Sequence, residues 1–209
     1  MDKRDLIQNP PEKVLAMYQA VDELINEGSD INSLKVADIT SRAGIGKGTA
    51  YEYFSSKEEL MSLAILYYAQ VCMEKLQKIA VTESSFRQKI YNMMDFIDTH
   101  VREKQAVFFL IKMIMESYEI PKSLKDEYER MKHECCDTGK NEILDRIVED
   151  GVREGMIREE NLFLQRAAVE TQLSVYFMYR IAAEKNMELD LEEDVLREYI
   201  YRNILKLLG

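Results

Sequence analysis

Residues 36–57 read VADITSRAGIGKGTAYEYFSSK, and in this stretch two short helical patterns meet at a glycine turn. Gly44 follows the last periodic position of the first pattern, as expected of a left-handed helix stop. Gly46 is then expected to be the N-cap of a second helix from about residue 47 to residue 54. This arrangement predicts a DNA-binding helix-turn-helix, whose second helix enters the major groove. The buried face of the first helix is expected to consist of Val36, Ile39 and Ala43.

The second helix of this motif has an inward and an outward face. Ala50 and Phe54 lie four residues apart and are expected to pack inward. Lys47 begins the outward face, where a lysine can reach O6 and N7 of guanine; a phosphate contact or a solvated lysine is the alternative. Hydroxyl groups on the same face suit phosphate oxygens. The candidate DNA-binding residues, on this helix and beside it, are Thr40, Lys47, Gly48, Thr49, Tyr51, Tyr53 and Lys57.

The segment AGIGKGTAYEYF at residues 43–54, followed by KEEL at residues 57–60, resembles the signature of the TetR family of bacterial transcriptional regulators. Gly46 departs from that signature, which usually has a serine there, and the missing side-chain cap is expected to cost roughly a few tenths of a kcal/mol. The resemblance implies that Tyr51 and Tyr53 contact the DNA backbone. It also implies a helical C-terminal domain that binds a ligand and forms a dimer.

The charge of the chain is unusual for a protein that binds nucleic acid. The formal net charge is -10, and residues 1–60 contain 7 Lys and Arg against 11 Asp and Glu. The motif itself, from Lys35 to Lys57, contains four basic and two acidic residues. Because phosphate contacts act within a Debye length of about 10 Å, this local positive face is sufficient for specific binding. Weak non-specific binding is expected.

Composition and helical periodicity predict the architecture. The 209 residues are 46% hydrophobic and 32% charged, as in a globular protein with a substantial core. No strand alternation is present, so we predict an all-α protein. The resemblance implies a three-helix DNA-binding domain at residues 1–56 and a helical ligand-binding and dimerisation domain at residues 57–209. Ser56 and Glu59 form a capping box at the start of the second domain. Helices are expected at about 57–81, 85–103, 105–118, 121–155, 160–187 and 191–208.

The two ends of the chain carry further predictions. At the N-terminal end, the short arm with Lys3 and Arg4 is expected to be disordered, although it could touch the DNA backbone. The last two helices are the predicted homodimer interface, because small residues among apolar ones allow two helices to approach closely. These stripes could also close the core of one protomer. They contain Ala168, Thr171, Val175, Met178 and Ala182 on one helix, and Val195, Tyr199, Arg202 and Leu205 on the other.

Methionine and aromatic side chains dominate the candidate ligand pocket. The chain has 12 Met, 12 Tyr and 7 Phe, and such side chains adapt to varied apolar molecules. The expected effector is a small apolar or aromatic molecule, with ordinary core packing as the alternative explanation. The candidate pocket residues are Met94, Phe109, Met113 and Tyr176.

Several classes of function and location find no support in the sequence. No phosphate loop, nucleophile elbow or metal-ligand spacing is present, so no catalytic site, metal or cofactor is predicted. Cys72, Cys135 and Cys136 fit neither a disulfide framework nor a zinc site, which indicates a reducing compartment. The apolar run at residues 106–115 is too short to cross a bilayer. We therefore expect a cytoplasmic protein with no membrane partner.

The predicted function is a homodimeric, ligand-responsive repressor that binds a pseudo-palindromic operator in double-stranded DNA. Sequence does not separate a repressor from an activator. The alternative is a helical dimer that binds a small molecule or a partner protein and carries a vestigial helix-turn-helix. The net acidic head and Gly46 are the features that keep this alternative open.

Overall fold

The computed structural model describes residues 2–29, 33–102, 129, 139–184, 187 and 190–209. Every regular element in these ranges is helical, which confirms the all-α prediction. The helices are α1 (Lys3–Gln8), α2 (Glu12–Asn26), α3 (Val36–Arg42), α4 (Lys47–Tyr53), α5 (Lys57–Val81), α6 (Phe86–Arg102), α7 (Lys140–Arg153), α8 (Leu162–Glu184) and α9 (Glu193–Leu208).

The described residues form two compact units. Those up to Cys72 belong to the first unit, and Met73–Arg102 together with the residues from 139 onward belong to the second. Helix α5 contributes its beginning to the first unit and its end to the second. The functional division at residues 1–56 and 57–209 stays a prediction.

The first unit is built around one face of α2. Val14, Tyr18 and Val21 on this face are at most 2% exposed, and they pack in one cluster with residues of α3, α4 and α5. Ile25 is partly buried against the same cluster. The apolar stripe of α2 therefore supports the helix-turn-helix from behind, as its spacing suggests.

The N-terminal arm is a short helix, so the expectation of disorder was wrong. Asp2 begins α1, and its carboxylate accepts a hydrogen bond from the Arg4 N–H at 3.3 Å. Leu6 and Ile7 are buried in the core of the first unit. The Tyr18 hydroxyl donates to the Leu6 carbonyl at 3.2 Å. A six-residue helix with two adjacent apolar residues is too short to show helical periodicity, and tertiary contacts stabilise it.

The second unit has its own apolar core, enclosed by α6, α7, α8, α9 and the end of α5. The loop after α7 is tied to the end of α9, because the Leu208 carbonyl accepts hydrogen bonds from the Arg158 and Glu159 N–H groups at 2.7 and 2.9 Å. No helix in the described ranges is long and apolar enough to cross a membrane. The most buried core residues are Phe86, Ile90, Met94, Ile147, Val148, Val169, Tyr176, Ile200 and Ile204.

A buried network of charged groups joins α6, α8 and α9. The Asp98 carboxylate accepts hydrogen bonds from the Tyr176 hydroxyl at 2.8 and 2.9 Å, and it forms an ion pair with Arg180 at 2.8 Å. Arg197 lies 3.4 Å from the same carboxylate, and Glu193 pairs with Arg180. Burial raises the pKa of Asp98, although the Tyr176 hydrogen bond and the two arginines act in the opposite direction. Because each group in this network needs its partners, the network favours one arrangement of α6, α8 and α9 at this end of the core.

Candidate DNA-binding surface

Local backbone contacts fix the turn between α3 and α4. The Lys35 N–H donates to Asp38 Oδ2 at 2.9 Å, which caps the start of α3. Gly44 has a φ of 66°, so the left-handed stop predicted at this residue is confirmed. The Ile45 N–H then donates to the Thr40 carbonyl at 2.8 Å and closes the turn. The two helices are therefore joined with little freedom in their relative direction.

Helix α4 is held in place by its inner face. Gly46 is its N-cap, in an extended conformation and without a side-chain hydrogen bond. Ala50 and Phe54 are 1% and 2% exposed and belong to the core of the first unit. The Phe54 ring lies 6.2 Å from the Tyr18 ring of α2, centroid to centroid. These contacts leave the opposite face of α4 turned away from the core.

The outward residues of α4 differ in their exposure. Lys47, Gly48 and Tyr51 are exposed, and the Lys47 Nζ lies 6.0 Å from the centroid of the Tyr51 ring. Thr49 and Tyr53 are half-buried, and Tyr53 packs against the core of the unit. Lys57, at the start of α5, is also half-buried. The exposed part of α4 thus consists of a lysine, a glycine, a phenol and the Glu52 carboxylate, with hydroxyl groups at its margin.

Thr40 does not lie on this surface, in contrast to the expectation that it faces the DNA. It is 3% exposed, and its Oγ1 donates to the Ala37 carbonyl at 3.3 Å. Burial of Thr40 next to Ile39 is possible because this bond satisfies the hydroxyl within its own helix. We therefore leave Thr40 out of the DNA-binding surface considered below.

The positive charge of Arg42 is engaged within the first unit. Its guanidinium forms two hydrogen bonds to the Glu27 carboxylate, at 2.7 and 2.8 Å, and a third to Glu23 at 3.2 Å. The Arg42 hydrogen bonds hold the pKa of the Glu27 carboxyl below its usual value. This bidentate pair connects the end of α3 to the end of α2. The Arg42 guanidinium is therefore engaged with carboxylates of the first unit, whereas Lys47 lies on the exposed face of α4.

The capping box predicted at Ser56 and Glu59 forms only in part. The Glu59 N–H donates to Ser56 Oγ at 3.2 Å, as expected of an N-cap. The Glu59 carboxylate turns instead to Ser55, whose N–H and hydroxyl donate to it at 2.5 and 2.6 Å, and to Lys3, which forms an ion pair with it. Burial of the Glu59 carboxyl raises its pKa, but these bonds outweigh that effect and the net pKa is lowered.

The candidate ligand residues are only partly within the described part of the chain. Met94 and Tyr176 are fully buried in the core of the second unit, whereas Phe109 and Met113 lie outside the described residues. A cavity of about 210 Å³ lies between the end of α5 and α7, and its lining among the described residues does not include Met94 or Tyr176. Its lining includes Gln77, Glu142 and Arg146. No cluster of His, Cys, Asp and Glu among the described residues has the arrangement of a metal site.

The fold and this surface define an all-helical protein with a helix-turn-helix in its N-terminal unit. Residues 23–64 match the family model of bacterial regulatory proteins, tetR family. The matched segment resembles this family and extends from the end of α2 into α5. None of the curated protein sequences matches the chain.

Solved structures of regulators share the fold along almost the whole chain. A TetR-family transcriptional regulator from Haemophilus influenzae is 18% identical, with a TM-score of 0.63, over 96% of this chain and 98% of that one. A proposed fatty acid metabolism regulator of Clostridium perfringens is 23% identical, with a TM-score of 0.56, over 93% and 98%. The Bacillus subtilis regulator FadR, solved with stearoyl-CoA, is 16% identical, with a TM-score of 0.60, over 93% and 97%.

Proposed function

We propose that the protein is a homodimeric, ligand-responsive transcriptional repressor that binds a pseudo-palindromic operator. The observation that carries this proposal is the outward face of α4, where Lys47, Gly48 and Tyr51 are exposed. Ala50 and Phe54 hold the helix from its inner side. A short, rigidly supported helix with an open polar face is the geometry that a major groove accepts.

The residues of this face are assigned different contacts. Lys47 donates to O6 and N7 of a guanine, which is a sequence-specific contact. Thr49, Tyr51 and Tyr53 donate their hydroxyls to phosphate oxygens, which position the protein without reading sequence. Lys57 meets a further phosphate at the start of α5, where backbone N–H groups already favour an anion. Gly48 allows the backbone of α4 to approach the DNA closely.

Exposed apolar side chains on α8 and α9 are the evidence for the proposed homodimer. Val175 and Met178 of α8 are 47% and 64% exposed, and Val195 and Tyr199 of α9 are 57% and 56% exposed. Ala168 of the predicted stripe is instead 7% exposed and belongs to the core of the second unit. We propose that a second copy covers the exposed part of the stripe. A two-fold axis there makes the contact self-complementary.

We propose a long-chain acyl thioester as the effector. One regulator with this fold is described as a fatty acid metabolism regulator, and another was solved in complex with stearoyl-CoA. An acyl chain is the kind of apolar ligand that a core rich in methionine and aromatic residues accommodates. The thioester releases the repressor by binding more tightly to the conformation that does not bind DNA, with a coupling of about 1–3 kcal/mol.

Selection from a pool of random duplexes tests DNA recognition. The purified protein is expected to enrich a pseudo-palindrome at moderate salt. A variant with Lys47→Ala and Tyr51→Ala is the control, because both side chains are exposed and their loss leaves the core intact. No enrichment by a dimeric wild-type protein would contradict the proposal and favour the vestigial-head alternative.

The effector is tested on the selected duplex. Stearoyl-CoA is expected to release the protein from this duplex, whereas coenzyme A without an acyl chain is expected to leave the complex intact. Equal effects of the two compounds, or no effect of either, would contradict the assignment of an acyl thioester.

A further inference from the structure

Glu59 has an unusually buried carboxylate for the first turn of a helix. The residue is 1% exposed, yet its carboxylate accepts two hydrogen bonds from Ser55 and forms an ion pair with Lys3. Its own N–H donates to the Ser56 hydroxyl. A buried carboxylate is stable only when such partners compensate for its lost hydration.

These contacts bring together three segments of the first unit. Lys3 is the first residue of α1, Ser55 and Ser56 form the turn after α4, and Glu59 lies in the first turn of α5. The turn is short, because α4 ends at Tyr53 and α5 begins at Lys57. The conformation of this turn therefore sets the positions of both residues that flank it.

We propose that Glu59 is a positioning residue of the DNA-binding surface and that Lys3 is its partner. This inference rests on the proposed function, because Tyr53 and Lys57 are the phosphate contacts that the turn would place. Glu59 acts through Ser55 and Lys3 and does not itself touch the DNA. Helix α1 then belongs to the working DNA-binding unit, although the family match begins only at residue 23.

The positive charge of Lys3 is paired with a carboxylate inside the first unit. An N-terminal lysine in front of a helix-turn-helix would ordinarily be assigned to phosphate. Here its ammonium neutralises the buried Glu59 carboxylate. Without Lys3 the carboxylate would have to be protonated or drawn toward water, and either change loosens its bonds to Ser55.

A double-mutant cycle tests this role. The affinity of Lys3→Met, Glu59→Gln and the double variant for the selected duplex is measured by fluorescence anisotropy at several salt concentrations. Each single variant is expected to weaken binding about tenfold, and the double variant no more than either single one, because all three disrupt the same contact. Lys13→Met is the matched control, since Lys13 is exposed on α2 and its loss removes the same charge.

The salt dependence separates positioning from direct contact. The slope of log affinity against log salt is expected to stay at the wild-type value in Lys3→Met, whereas Lys57→Ala lowers it by about one phosphate contact. Lys3→Arg, which keeps the charge, is expected to restore binding. Circular dichroism identifies the folded variants, and Lys3→Met alone decides the question if Glu59→Gln does not fold.

Three results would overturn the inference. The first is wild-type affinity in Lys3→Met, and the second is a reduced salt slope in that variant, which would assign Lys3 to phosphate. The third is equal weakening by Lys13→Met. A wild-type protein that selects no duplex would instead contradict the proposed function, so the two failures are distinguishable.

Discussion

Lys47 and Tyr51 are neighbours on the exposed face of α4 but are assigned different contacts. Lys47→Ala should relax base preference at one position in each half-site, with a loss of about 1–3 kcal/mol of discrimination. Tyr51→Phe removes only a hydroxyl and should weaken binding to all duplexes evenly. Binding measured on the selected duplex and on single-base variants distinguishes the two. The same selectivity in both variants would contradict these assignments.

Glu59 should make the free energy of unfolding depend on pH. Its folded pKa is lowered from an ordinary value of 4.5, because the bonds from Lys3 and Ser55 outweigh the effect of burial. A carboxyl of this kind contributes stability above its unfolded pKa, and the contribution is lost as pH falls through the folded pKa. Urea unfolding of wild type and Glu59→Gln should therefore differ at pH 6, and the difference should shrink as pH falls below the ordinary carboxyl value of 4.5. A difference that persists unchanged in acid would contradict this origin.

At the scale of helices, two glycines should respond oppositely to the same substitution. A Cβ on Gly151 in α7 would lie 2.6 Å from Ile157 Cδ1 and 3.1 Å from Phe86 Cδ2, whereas a Cβ on Gly48 in α4 meets nothing within 4 Å. Gly151→Ala should cost about 1–3 kcal/mol through overpacking. Gly48→Ala should add up to about 1 kcal/mol through helix propensity. Thermal unfolding of both variants measures this, and stabilisation by Gly151→Ala would show that α7 packs differently.

Helix bounds set by local signals could be predicted from the sequence. The predicted range 57–81 agrees with α5, because Ser56 caps the helix within one turn. Gly44 ends α3 as predicted, because glycine has no Cβ and adopts the left-handed conformation without a steric penalty. Local signals of this kind act over three or four residues and are therefore visible in a single chain.

Features that depend on distant partners could not be predicted. Helix α1 forms because Leu6 packs into the core and Lys3 meets Glu59, which is 56 residues away. Thr40 faces inward because its hydroxyl is satisfied by Ala37, although its type suggested a phosphate contact. Helical spacing alone predicted that Lys47 and Tyr51 lie on the outward face of α4. The contacts of Glu59 with Ser55 and Lys3 depend on the folded structure and could not be predicted.

For the whole molecule, the proposed dimer should depend on the exposed faces of α8 and α9. Val175→Asp places a charge within the proposed interface and should yield monomers that bind DNA much more weakly. Val152→Asp on α7 is the matched control, because Val152 is 48% exposed and Val175 is 47% exposed. Light scattering after size-exclusion chromatography gives the mass of each variant. If Val175→Asp remains a dimer of unchanged mass, α8 is not part of the interface.

The spacing of the two half-sites shows whether the protein binds DNA as a dimer with two coupled heads. A two-fold dimer presents both α4 helices to one side of the duplex, so the half-sites should be separated by about one helical turn or a multiple of it. The measurement compares affinity for the selected duplex with affinity for the same duplex carrying about five additional base pairs, roughly half a turn, between its half-sites. We expect at least about a hundredfold loss, because only one head can then bind. Equal affinity for the two duplexes would contradict recognition by a dimer with two coupled heads.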